Sequence, residues 1–199
     1  MMFGHNRFWL LRIWLTSLLV CGLAHPGAGC VQASSDYVVV KGGYSNYDYG
    51  YSVRIPKGLT ALRAPAPLPN HGFEIHVSDH PKADLSVSAS YNAAEWSSFD
   101  DAINAHLGYF KNKVGGEVDI GDRVSTVLGG LRAVRFTMKS KTSADSEMRE
   151  VLVAFRKAPG EVGIVYEIVL TTPSSRYNKD KHLISDLQKT WRMRSLPRH

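Results

Sequence analysis

Two hydrophobic periodicities divide the chain. Period two comes first: Tyr51, Val53 and Ile55 alternate with Ser52 and Arg54, predicting a strand that Pro56 and Gly58 end. Pro65, Pro67 and Pro69 make residues 60–72 an irregular loop. Phe73–Val77 reads as a short strand, and Ser78-Asp79-His80-Pro81 as the turn after it. Leu85, Val87, Ala89 and Tyr91 alternate with Ser86, Ser88 and Ser90, as in a half-buried strand. After Ser98 the period becomes helical, with Phe99, Ile103, His106/Leu107, Phe110 and Val114 forming one apolar stripe. Ser98 suits the N-cap, Asp100 and Asp101 complement the positive end of the helix dipole, and Gly115-Gly116 stops the helix.

Period two then returns. Val118–Leu128 and Leu131–Lys139 flank Gly129-Gly130, the turn chemistry of an antiparallel hairpin, with Val134, Phe136 and Met138 on one face. A polar loop at 140–146 precedes two further strands, Met148–Arg156 and Gly163–Thr171, joined by Lys157-Ala158-Pro159-Gly160. GIVYEIVL is almost continuously apolar, which predicts a central strand covered on both faces. A closing helix is expected from about Asn178 to Trp191, with Leu183, Ile184, Leu187 and Trp191 on one face. These helices are too few to supply the crossovers of a parallel sheet. The fold class is therefore α+β, a mainly antiparallel sheet flanked by helices.

The N-terminus follows a different pattern. His5, Arg7 and Arg12 precede the uncharged stretch IWLTSLLVCGLA, and no acidic residue occurs before Asp36. An apolar run of this length fits the h-region of a secretory signal, about 7–15 residues, and falls short of the roughly 18 that span a bilayer. Pro26, Gly27 and Gly29 follow, then Val31-Gln32-Ala33 before Ser34, a cleavage pattern that places the cut between Ala33 and Ser34. The expected organisation is a cleavable signal peptide over 1–33, a Gly/Tyr-rich arm over 34–50 and one domain over 51–199. The expected location is exported, periplasmic or secreted. An alternative is a lipoprotein anchored through Cys30, because Gly27-Ala28-Gly29-Cys30 loosely resembles a lipobox; Gly27 stands where a bulky apolar residue is expected.

This processing changes composition and charge. Cys21 and Cys30 both precede the Ala33/Ser34 cut, so the mature domain carries no disulfide and rests on its core. A chain of residues 34–199 is long enough to bury about 70% of its unfolded surface. The net charge of +6 falls by two when Arg7 and Arg12 leave. What remains lacks the dense basic cluster with interleaved aromatics that nucleic-acid binding needs.

Four segments together resemble one known family. YGYSVRIPKGL, SSFDDAINAHLGYFKNKVGG, LGGLRAVRF and VYEIVLTTPSSRYNKDKHLISDLQKTW occur in an order similar to that of the PsbP-like α/β/α sandwich superfamily, across most of residues 47–193. That superfamily includes photosystem II extrinsic subunits, a Ran-binding transport factor and bacterial exported relatives. The resemblance implies an α/β/α sandwich and a non-catalytic module that docks on protein partners; it brings no catalytic residues. Leu59 departs from the pattern, since an aromatic often follows the Pro-x-Gly of the first strand.

Candidate chemistry is sparse. Tyr44, Tyr47, Tyr49 and Tyr51 form an aromatic edge, and at period two the last three would project from one face. Amphipathic rings in such a row suit a protein interface, or else they cover the sheet edge and pin the arm. His71, His76 and His80 cluster around a hairpin with Asp79 beside them and His106 on the helix, but His76 and His80 would share a face only on a helix. Glu167 lies within the apolar strand, where a basic partner such as Arg135 or Arg156 is expected. The tail Lys189, Arg192, Arg194 and Arg198 suits either an anionic surface or the helix dipole. No G-x-S-x-G, G-x-G-x-x-G, Walker A, H-E-x-x-H or EF-hand pattern occurs. No catalytic, cofactor-binding or metal-binding residue is therefore expected. The expectation is a non-enzymatic protein-binding module acting as an accessory, chaperone-like or immunity-type factor in the bacterial envelope. The alternative is an envelope enzyme or small-ligand-binding protein with a pocket between sheet and helices.

Overall fold

The apolar run GIVYEIVL becomes the strand on which the architecture turns. The computed structural model describes residues 37–65, 71–141, 146–157 and 163–196, all within the unit Ser35–His199. Ala33, Ser34 and Cys30, and with them the expected cleavage and lipidation sites, lie outside the described residues, as does Arg198.

The chain forms β1 (Val38–Val40), β2 (Gly43–Asn46), β3 (Tyr51–Arg54), β4 (Ala61–Arg63), β5 (Gly72–Asp79) and β6 (Lys82–Tyr91). It continues through α1 (Phe99–Val114), β7 (Val118–Leu128), β8 (Leu131–Ser140), β9 (Glu147–Arg156) and β10 (Ile164–Pro173). It closes with α2 (Ser174–Asp180), α3 (His182–Thr190) and β11 (Arg192–Met193). Eight strands make one sheet in the order β1-β4-β5-β6-β10-β9-β8-β7, and three make a second in the order β11-β3-β2. Every pairing is antiparallel, as the scarcity of helices predicts.

β10 sits between β6 and β9 and joins the two halves of the large sheet. Its side chains divide by the alternation of the pleat. Ile164, Tyr166, Ile168 and Leu170 enter one buried cluster with Tyr51, Leu183, Ile184, Leu187 and Trp191. Val165 and Val169 enter another with Ile103 and Phe110 of α1 and with Val134, Phe136 and Met138 of β8. From Ile164 to Leu170 both faces are covered, which explains why Glu167 is the one charged residue in that stretch.

α1 begins and ends where its sequence dictates. The Ser98 hydroxyl accepts from the Asp101 amide and the Asp101 carboxylate accepts from the Ser98 amide, a reciprocal capping box. Gly115 takes the left-handed conformation that closes the helix. The Gly129-Gly130 turn joins β7 to β8 in register from Leu128↔Leu131.

Three segments differ from expectation. The stretch read as an arm over 34–50 contains two strands. Val38–Val40 pairs with Ala61–Arg63 at the edge of the large sheet, inside the stretch read as irregular loop, and Gly43–Asn46 pairs with Tyr51–Arg54. Tyr91, placed on the inward face of β6, is exposed. The closing helix is two helices. α2 starts at Ser174 after Pro173, which has the extended backbone of an N-cap, and the chain turns at Lys181 into α3. Asp180, buried at the end of α2, accepts hydrogen bonds from Thr172 Oγ1 at 2.8 Å and Arg176 Nε at 2.7 Å. Trp191 lies beyond α3 with extended backbone, and its ring is fully buried.

Candidate functional site

The small sheet positions the aromatic edge, and it breaks the expected row. β2 ends at Asn46, residues 47–50 turn, and β3 starts at Tyr51, so the phase of alternation resets between Tyr47 and Tyr51. Tyr44, Tyr49 and Tyr51 are buried, whereas Tyr47 is 67% exposed. The four rings therefore do not share an outward face. Tyr51 stacks on Trp191 with ring centroids 4.4 Å apart and planes 3° from parallel. Tyr44 meets Phe73 edge-on at 4.9 Å, and the carbonyl of Tyr49 accepts a 2.7 Å hydrogen bond from the Tyr166 hydroxyl. Burial raises the phenol pKa values of Tyr51, Tyr49 and Tyr166. These three rings act as core, which is the packing role weighed for them, and Tyr47 alone of the four stands at the surface.

Tyr47 stands beside an unusual concentration of arginine. The Arg194 guanidinium lies over its ring, 5.6 Å from the centroid, a cation–π geometry. Gly50 makes this possible: its φ is +63°, and a Cβ there would lie 2.9 Å from the Arg194 carbonyl oxygen. The Gly50 carbonyl accepts from the Arg194 amide at 2.8 Å, tying the turn to the C-terminal strand. Arg54, Arg192 and Arg194 line one shallow groove of about 500 Å³, together with Ser45, Ser52 and Thr190. No carboxylate is among its lining residues. Arg192 is oriented by donating from Nη1 to the carbonyls of Lys189 and Trp191 at 3.0 and 2.8 Å. Two members of the basic tail thus meet an arginine from β3 across the β3–β11 pairing, where Arg192 lies opposite Ser52.

The histidines go to separate partners. His71 Nδ1 lies 3.1 Å from both the Tyr49 hydroxyl and the Ala89 carbonyl oxygen, and His76 Nδ1 lies 2.7 Å from Asp84. Among the described residues no group of three or more His, Cys, Asp and Glu is placed to hold a metal ion.

Glu167 has a partner that strand reasoning missed. Its Oε1 lies 2.7 Å from His106 Nε2 on α1, and Ser88 Oγ donates to Oε2 at 3.4 Å. Burial pushes this carboxyl up, but the His106 hydrogen bond and charge, Ser88 and the more distant Arg149 together hold it below its ordinary value. Arg135 and Arg156 are excluded by the pleat. Arg135 alternates with Val134 and Phe136, which face α1, so its side chain leaves on the other face and binds Glu150 at 2.5 Å and Ser185 at 2.9 Å. Arg156 follows Ala154 on that same opposite face, and its Nη1 donates to the Arg194 carbonyl at 3.0 Å. The signal that could have found His106 was its place on the apolar stripe of α1.

No protein-family model and no curated protein matches the chain. Solved structures do. Cyanobacterial PsbP (CyanoP) from Synechocystis sp. PCC 6803 superposes with a TM-score of 0.55 at 14% identity, over 84% of this chain and 97% of that one. LpqN of Mycobacterium tuberculosis, described as involved in cell envelope biogenesis, superposes with a TM-score of 0.54 at 12% identity, over 86% of this chain and all of that one. The fold is PsbP-like, as the four sequence segments implied. At these identities the likeness is one of fold. Among the described residues no helix is long and apolar enough to cross a membrane.

Proposed function

We propose that this chain is an exported, non-enzymatic module that docks an acidic protein partner on the outer face of its small sheet. It would serve as an accessory, chaperone-like or immunity-type factor in the bacterial envelope. The observation that carries the reading is the groove itself: Arg54, Arg192 and Arg194 line it without a carboxylate, and Tyr47 stands exposed beside it. Arginine and tyrosine are the side chains that anchor interfaces most often, because each offers contact area and directional hydrogen bonds together. Guanidinium forks match carboxylates bidentately, so the complementary surface is one rich in Asp and Glu.

Support for the location comes from the charged n-region, the short apolar stretch and the Ala33-Ser34 junction. Layering supports a docking module of α/β/α sandwich type: α1 belongs to one buried cluster of the large sheet, while α3 and Trp191 belong to the other.

The test is cross-linking of the tagged chain, exported through its own leader, followed by affinity recovery and mass spectrometry. Wild type is compared with Tyr47→Ala and with Arg54→Glu/Arg192→Glu. One dominant partner, depleted by both variants and released as ionic strength rises, is the expected result. Equal recovery of that partner by the charge-reversed variant, or no partner above background, would overturn the proposal.

A further inference from the structure

The second feature lies on the opposite face of the large sheet, where α1 leaves part of β6 and β5 open. The register lines up Arg149 with Thr171, Thr171 with Asp84 and Asp84 with His76, one row across β9, β10, β6 and β5. Above this row the C-terminal half of α1 supplies Tyr109 and Lys113, and the two surfaces enclose a groove of about 320 Å³. Its floor includes the buried side chain of Val169, and its wall the hydroxyls of Ser86 and Thr171.

The cations of this groove are unequally served. Lys113 Nζ is 2.5 Å from Glu147, Lys82 Nζ is 3.4 Å from Asp84, and His76 is 2.7 Å from the same carboxylate. Arg149 has no carboxylate within ion-pairing distance among the described residues. Its guanidinium carbon lies 4.8 Å from the centre of the Tyr109 ring, and its Nε is sealed from water without an acceptor. Asp84, two strands away in the row at about 10 Å, is engaged by His76 and Lys82 instead. Burial lowers the pKa of Arg149, while Tyr109, through a side-chain hydrogen bond as well as through space, and the charges of Glu167 and Glu147 oppose that shift. A half-buried guanidinium in this condition has lost hydration without gaining a counter-ion.

We infer that this groove binds a small organic monocarboxylate, whose carboxylate group pairs with the Arg149 guanidinium. A planar fork of N–H donors suits that group. The charge pairing selects a monoanion: Lys113 is paired with Glu147 and Lys82 with Asp84, which leaves the single charge of Arg149 to be matched, and a doubly charged phosphate would meet Glu74 and Asp84 in the lining. The volume sits near the lower end of ligand pockets, about 300 Å³, so the ligand has a short body. Val169 and the Tyr109 ring offer that body apolar contact.

Calorimetric titration of the purified, processed chain with lactate, hexanoate and benzoate tests this. Methyl benzoate and inorganic phosphate are titrated alongside. Saturable binding of at least one monocarboxylate is expected, weakened about tenfold or more by Arg149→Met. Methyl benzoate should not bind, and phosphate should bind more weakly than the best acid. A second variant, Thr171→Glu, places a carboxylate opposite Arg149 from within the sheet; it should abolish binding and raise the melting temperature of the ligand-free protein. The inference is overturned if no monocarboxylate binds, if phosphate or the ester binds as well as the acid, or if either variant binds like wild type.

Discussion

Trp191 carries a disproportionate share of the stability. Its ring is fully buried, stacks in parallel on Tyr51 at 4.4 Å and meets Tyr166 nearly perpendicularly at 5.9 Å. Replacing it with alanine exposes on the order of 200 Å² of lost aromatic burial. At about 25 cal/mol per Å² this amounts to ~5 kcal/mol, and partial burial in the unfolded chain lowers it to ~3–4.5 kcal/mol. Loss of the ring–ring geometry adds ~0.5–1.5 kcal/mol, and relaxation of the cavity returns part of it. The expected cost of Trp191→Ala is therefore ~4 kcal/mol, within the range for Trp-to-Ala core substitutions. In a domain stabilised by ~5–15 kcal/mol this is a large fraction, and it lowers the melting temperature by roughly 8–16 °C. Urea unfolding followed by far-UV circular dichroism is the suitable assay, because the substitution removes a fluorophore. Trp191→Phe keeps a ring against Tyr51 and should lose only ~1–2 kcal/mol. A loss below ~1 kcal/mol for Trp191→Ala would refute the reasoning, since it would mean that the ring is not the plug between the two sheets.

Three further outcomes follow from the same contacts. Glu167→Gln should lower stability at neutral pH, and urea midpoints across pH read the effect. Because the folded Glu167 value lies below the unfolded one, its contribution is complete above about pH 4.3 and is lost as pH falls through the folded value, so the wild-type advantage should shrink there. Gly129→Ala forces a side chain onto a φ of +57° and puts its Cβ 2.7 Å from Trp191 Cδ1. The combined strain is expected to cost ~2–4 kcal/mol in thermal unfolding and to perturb the near-UV spectrum of the tryptophan. Ser98→Ala removes the acceptor for the Asp101 amide and should cost ~1 kcal/mol by chemical unfolding, with the sheet spectrum unchanged.

How much of this was legible depended on whether the cause was local. α1 was readable from Ser98, the stripe through Phe110 and Gly115, because caps and helical periodicity act within a few residues. The β7–β8 hairpin was readable from two adjacent glycines, and β10 from its lack of polar positions. The tyrosine row failed because alternation holds only within a continuous strand, and the turn at 47–50 consumed residues that a period-two count treats as extended. β1 and β4 escaped notice because three-residue strands leave almost no period to detect. The partner of Glu167 lay between these cases. Alternation against Val134 and Phe136 already removed Arg135 from the α1 face, but bringing His106 there required knowing which strands α1 covers. The arginine groove and the condition of Arg149 were out of reach. The first unites strands from both ends of the chain, and the second depends on which charges fail to meet.

β10 has a kinetic meaning as well. The two halves of the large sheet, β1-β4-β5-β6 and β9-β8-β7, have no pairing with each other until residues 164–173 arrive between them, and β3 waits until residues 192–193 for β11. A polypeptide delivered vectorially from its N-terminus, from a ribosome or a narrow pore, cannot complete its fold before nearly all of it has emerged. Such long-range closure makes folding slow and late. This strand order therefore leaves the two half-sheets unjoined until residues 164–173 are available to bridge them.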